Sequence, residues 1–285
     1  MLVLAACSGG TGEGASAEAS SSAAFGSALK EALDPINQGL AKAVEAKTPN
    51  ELWTALGTVG SFAGRANRTL KAVSAPSRAE PARTELVNAL DVLFTEAGTL
   101  GADLSDKKVC TVGTGQGRLG AGKGLPGVSA AVAKLTAGGF PAVFTVPKLP
   151  ELPPQSRALE NGTVVREGAK DGKSTLELTN NGSVDTLFIL AQNKASVTSV
   201  YAAKGQKIVI DGIRDGVYDL YYAYGVDWDS GAKQFTQDCA FARLREKYDF
   251  DAAGGGTVWT VDIKPEKAKG TTKAEAETIY TTPQP

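Results

Sequence analysis

Ser196–Gly225 reads SVTSVYAAKGQKIVIDGIRDGVYDLYYAYG. Runs rich in Val, Ile and Tyr are separated by Ala203-Lys204-Gly205 and by the cluster from Asp211 to Gly216. β-Branched and aromatic residues suit a pleated, half-buried surface. Glycine at a reversal supplies a positive φ at no steric cost. The stretch therefore predicts three successive strands joined by short turns. The same pattern continues on both sides. Upstream, STLELTN (174–180) alternates apolar with polar residues, NNGS is a turn, and VDTLFILAQ (184–192) is an apolar run suited to a buried strand. Downstream, AFARLREKYDF (240–250), TVWTVDI (257–263) and AETIYTT (276–282) add further strands. Seven or eight short strands over residues 159–285 predict an antiparallel β-sandwich.

The first half of the chain has a different period. Phe25, Leu29, Leu33, Ile36, Leu40 and Val44 recur at three and four residues, interrupted by Asp34-Pro35, which either kinks one helix or starts another. Thr48-Pro49 followed by Glu51 has the form of a capping box with proline in the first turn. Trp53, Leu56, Val59, Ala63, Leu70 and Val73 then form one stripe, and Leu86, Leu90, Leu93, Ala97, Leu100 and Leu104 another. Trp53 and Phe94 are expected in the core, with Arg65, Arg68 and Lys71 on a solvated face. Residues 23–139 thus predict a three-helix antiparallel bundle with a glycine-rich connector at 105–127 and a short helix at 128–135. Five prolines in FPAVFTVPKLPELPPQ make residues 140–158 an extended linker. The expected fold class is α+β in separate domains.

Several chemistries are excluded early. The chain holds 30 Lys and Arg against 31 Asp and Glu, so no strong field draws nucleic acid. It has no His, which removes Ser-His-Asp and Cys-His mechanisms. Ser27/Lys30, Ser105/Lys108 and Ser230/Lys233 match S-x-x-K without the companion motifs of the penicillin-binding class. Gly117–Gly124, GRLGAGKG, misses a P-loop by one residue, because Gly124 stands where a Mg²⁺-holding hydroxyl is needed. No nucleotide is expected. Asp227, Asp229 and Asp238 could in principle hold Ca²⁺, but their spacing matches no EF-hand and reads as turn capping. No metal or cofactor is expected.

At the N-terminus, Leu4-Ala5-Ala6-Cys7 resembles the lipobox of bacterial lipoproteins. No basic residue precedes it, so residues 1–22 read as a truncated lipoprotein signal and a small-residue, flexible tether. The resemblance implies lipid on Cys7. That leaves Cys110 and Cys239, which in an exported protein suggest a disulfide; two buried free thiols are the alternative.

A second resemblance rests on Gly212, Gly216, Tyr218, Gly225, Asp227, Trp228, Asp229 and Phe235. This pattern resembles a β-rich module of bacterial proteins of unknown role. With the lipobox, tether and helices, the chain looks like uncharacterised lipoproteins of actinobacteria. The resemblance implies architecture and location, and no activity. The densest candidate binding surface is Tyr222, Tyr224 and Trp228, since a row of aromatics can stack on sugars or grip a protein; core packing is the competing reading. The functional expectation is a non-catalytic binding or assembly protein on the outer face of the cell membrane, contacting an envelope protein or cell-wall glycan through its sandwich. The alternatives are a cell-wall glycan-acting hydrolase using carboxylates, and a plain spacer.

Overall fold

The computed structural model describes residues 12–251, 253, 255–265, 276–279 and 283. Cys7 lies outside the described residues. The chain divides into two compact units, Met1–Ser105 with Val112–Leu152, and Asp106–Thr111 with Pro153–Pro285.

Among the described residues the first unit has five helices: α1 Gly12–Glu45, α2 Pro49–Ala72, α3 Glu80–Ser105, α4 Val112–Ala121 and α5 Gly124–Ala137. Residues 12–22, expected as flexible tether, begin α1; their alanines favour helix. Pro35 sits inside α1, so the helix continues through Asp34-Pro35. The capping box at the start of α2 is formed: Thr48 Oγ1 accepts from the Glu51 N–H at 3.2 Å, and Glu51 Oε2 accepts from the Thr48 N–H at 3.3 Å.

The stripe of α2 is Leu52, Leu56, Val59, Ala63, Ala66 and Leu70, all buried. Its spacing alternates four and three residues. Trp53 is one position off this stripe and 49% exposed, and Phe94, next to buried Leu93, is 47% exposed. Neither is core, contrary to the expectation.

The glycine-rich connector is also not a connector: most of it is α4 and the start of α5. Its glycines permit close approach rather than looseness. A Cβ on Gly117 would lie 2.8 Å from the Leu152 Cα, and one on Gly124 2.6 Å from the Leu93 Cα. Gln116 donates to the carbonyls of Ala43 and Val44, satisfying acceptors at the C-terminus of α1. The first part of the proline-rich segment is extended and held to this unit, with the Asn37 side chain bonding Val143 O and Thr145 N.

The second unit contains β1 Val164–Arg166, β2 Ser174–Asn180, β3 Asp185–Gln192, β4 Ala195–Ala202, β5 Lys207–Ile213, β6 Gly216–Asp229, β7 Gln234–Phe250, β8 Val258–Ile263 and β9 Ala276–Ile279. Gly205, Gly212 and Gly216 take φ of 71°, 71° and 144° at the predicted reversals. A six-stranded sheet has the order β1-β4-β3-β6-β7-β9, and a three-stranded sheet the order β5-β2-β8. The smaller sheet is mixed, because β8 runs parallel to β2. A purely antiparallel arrangement is therefore corrected.

One core draws on both sheets: Leu176 and Leu178 of β2, Ile208 and Ile210 of β5, and Val261 of β8 pack with Phe188, Leu220, Tyr222 and Tyr248. The opposite face of the larger sheet is buried too, by Ile189, Tyr201, Tyr221, Trp228 and Phe235, with Leu159 and Cys110 packed against them. This double burial explains why β3 reads as a continuous apolar run. Cys110, from the short segment Asp106–Thr111, is disulfide-bonded to Cys239 of β7. Backbone bonds Cys110 N–H to Thr236 O (2.8 Å) and Cys239 N–H to Lys107 O (3.0 Å) flank the bridge.

Candidate functional site

The predicted aromatic surface is not a surface. Tyr222 is 1% and Trp228 2% exposed, and Tyr224 is half-buried, stacked on Tyr222. The three do not share a face either. Tyr222 lies in the core between the sheets, whereas Trp228 packs edge-on to Tyr201 and Phe235 on the other side. The cause is an irregularity in the β6–β7 register between Tyr224 and Val226, followed by Asp227 at φ 58°. A bulge of this kind reverses the side-chain alternation beyond it.

Asp227 and Asp229 belong to a structural latch. Arg157 gives Nε and Nη2 to Asp227 at 3.0 and 2.7 Å, and Nη1 to Asp229 at 3.1 Å. Asp227 is 4% exposed. Burial pushes its pKa up, but hydrogen bonds from Arg157 and Thr236 outweigh this and hold it below the usual carboxylate range. Asp229 is held low first by the Ala232 N–H, and it caps the turn at Gly231 and Ala232 as expected. Among the described residues, no group of three or more His, Cys, Asp or Glu could hold a metal.

The near P-loop has a similar internal answer. Glu96 of α3 accepts from the Lys123 and Gly124 N–H groups at 2.8 and 2.9 Å. A carboxylate of the chain itself therefore occupies the helix N-terminus where a phosphate would have to sit.

The feature best suited to bind something lies in the second unit, among residues that read as turns in the sequence. β1 and β4 stand at one end of the larger sheet, β5 at one end of the smaller. Residues 167–173 cross from β1 to β2. At this crossing a cavity of about 410 Å³ opens. Leu190, Val197, Ile210, Ile213 and Tyr218 line it, and all belong to or pack on the core shared by the sheets. Arg166, Glu167, Lys170, Asp211 and Arg214 form its polar margin.

The crossing segment is locked by backbone contact. A Cβ on Gly172 would fall 1.9 Å from Ile213 O, and one on Gly212 2.6 Å from Lys170 O. Gly172 N–H also donates to Gly212 O at 3.0 Å, and Thr198 Oγ1 donates to Arg166 O at 3.0 Å. The wall is thus preformed. Arg214 holds Asp171 through two bonds of 2.6 and 2.7 Å, and Lys170 holds Glu167 at 2.9 Å. Each pairing keeps its carboxyl below the usual range, chiefly through the hydrogen bond. Tyr218, its hydroxyl pKa raised by burial, donates to Arg214 O at 3.1 Å. Ser196 also lines the cavity; its buried hydroxyl has no hydrogen-bond partner among the described residues.

In the sequence these residues are spread from Arg166 to Tyr218 and read as turns. The available signal was the recurrence of cations beside glycines, Arg166 with Gly168, Lys170 with Gly172, and Arg214 between Gly212 and Gly216. No match was found when the chain was compared with known protein families, with curated proteins and with solved structures.

Proposed function

We propose that this chain is a non-catalytic binding protein of the bacterial cell envelope, related to the actinobacterial lipoproteins it resembles. Lipid on Cys7 holds it to the outer face of the cell membrane. In this reading the first unit is a helical bundle and the second a β-sandwich. The shared core of the two sheets supports the sandwich. The Cys110–Cys239 disulfide supports an oxidising, extracytoplasmic location.

The observation that carries the binding role is the cavity of about 410 Å³, where the core between the sheets reaches the surface behind a locked wall. Its wall is preformed, its floor carries Leu190, Val197, Ile210 and Ile213, and its margin is charged, so it offers apolar surface and polar groups together, as a ligand site does. The test is a fragment screen by amide NMR on the full chain. Shifts clustered at Val197, Ile213 and Tyr218 are expected. A screen in which no fragment moves these amides would refute the role. Radiolabelled palmitate incorporation in source cells, lost with Cys7→Ser, tests the anchor.

The hydrolase reading draws on Glu167 and Asp211, which both line the cavity. A glycosidase acid needs a raised pKa. Lys170 instead holds Glu167 low, and the Asp211 carboxylate accepts from Thr175 Oγ1 at 3.1 Å. The geometry favours binding over cleavage. The expected result is no cleavage of wall glycan by the purified chain; cleavage that Glu167→Gln or Asp211→Asn abolishes would establish the hydrolase instead.

A further inference from the structure

Resting on that reading, we propose that the cavity takes a short segment of extended, uncharged peptide, with an aliphatic side chain on the apolar floor and its main chain paired to the Gln192 amide. Strand β3 places this amide. Leu190 belongs to the core between the sheets, and Gln192, two residues on, shares its face. Gln192 Nε2 lies 2.6 Å from where a Cβ on Gly216 would stand, and the Tyr218 ring lies 3.5 Å from the same point. The side chain is thus set beside Tyr218, at the cavity that both residues line. It is half-buried, and its amide has no hydrogen-bond partner among the described residues.

The ligand class follows from what the walls can satisfy. Leu190, Val197, Ile210 and Ile213 have side chains that offer no hydrogen bond. A sugar would turn hydroxyls toward them without partners, which is costly. An alkyl chain would cover them but leave the Gln192 amide with nothing to bond. A primary amide presents a donor and an acceptor side by side. One residue of an extended chain does the same with its N–H and C=O, as paired strands show when two residues exchange both bonds. The floor then takes the apolar side chain. The margin favours neither sign of charge: Arg166, Lys170 and Arg214 are balanced by Glu167, Asp171 and Asp211, and Lys170–Glu167 and Arg214–Asp171 are ion pairs.

The experiment is an amide NMR titration of the full chain carrying Cys7→Ser, read at Val197, Ile213 and Tyr218. The ligands are acetylated, amidated tripeptides of alanine with leucine, glycine, glutamate or lysine at the centre. The leucine peptide should bind at least about tenfold more tightly than the glycine peptide, through burial of its side chain. Glutamate and lysine should gain nothing over glycine. An ester oxygen in place of the central N–H of the leucine peptide leaves the protein untouched and should weaken binding about fivefold. Gln192→Met keeps the length of the side chain without its amide. It should weaken the leucine peptide about tenfold and leave octanol unchanged, with its unfolding midpoint read alongside. Equal affinity for the leucine peptide and its ester, or for the leucine and glycine peptides, overturns the proposal. Octanol or N-acetylglucosamine oligomers that shift these amides while the peptides do not overturn the peptide alone and leave a cavity that binds another class. No shift with any ligand overturns the binding role of the cavity itself.

Discussion

Asp227 shows how much a single carboxylate can hold in place. It is buried at an irregular point of β6, and Arg157 and Thr236 satisfy both its oxygens. Removing one partner of such a pair leaves a charge uncompensated. Arg157→Ala should therefore destabilise the second unit by about 2 kcal/mol, below the full buried-pair cost because Arg157 is partly exposed. The pH dependence has a definite sign. A carboxyl whose pKa is lower folded than unfolded contributes stability above its unfolded value, and that contribution is lost as pH falls through the folded value. The latch should weaken progressively below about pH 4, and Asp227→Asn should flatten urea midpoints measured from pH 5 down to 2. By contrast, Arg214→Ala breaks an ion pair of two exposed groups and should leave the melting temperature unchanged.

Among the elements, α4 and α5 test whether glycine is permissive or required. Alanine in place of glycine ordinarily stabilises a helix interior by about 1 kcal/mol. Gly26 of α1 has nothing within 4 Å of a would-be Cβ, so Gly26→Ala should raise stability by about 0.5–1 kcal/mol. At Gly124 the Leu93 Cα lies 2.6 Å from that position, so Gly124→Ala should reverse the sign and lower the melting temperature. Thermal unfolding of the two variants checks both signs. Strand β6 carries the same lesson. Its aromatics alternate regularly from Tyr218 to Tyr224, and the face could be read from spacing. Beyond Tyr224 the register shifts, and Trp228 goes to the opposite face for a reason that spacing does not contain.

At the scale of the molecule, the disulfide connects residues 129 apart in sequence and ties Asp106–Thr111 into the second unit. The chain entropy it removes from the unfolded state makes Cys110→Ser with Cys239→Ser cost about 2–4 kcal/mol. The expected change is a lower denaturation midpoint for the β unit. Mass measurement after alkylation without reductant should show neither of the two thiols modified in the parent chain. Among the described residues no helix is long and apolar enough to cross a membrane.

The sequence by itself determined the change from helical to strand period, the capping box at Thr48 and the reversals at Gly205, Gly212 and Gly216, and counting suggested the Cys110–Cys239 pair once the lipobox resemblance had set Cys7 aside. These depend on local propensity, on backbone φ and on counting, all of which neighbours along the chain express. Tertiary structure decided the rest. It turned the glycine-rich stretch into helix, because close approach to Leu93 and Leu152 depends on residues far away in sequence. It left Trp53 and Phe94 exposed, because one residue along a helix is about 100° and moves a side chain off the buried stripe. It buried Tyr222 and Trp228, and it gathered Arg166, Val197, Ile213 and Tyr218 around one cavity. A cavity is made by where two sheets fail to meet, and no single segment carries that information.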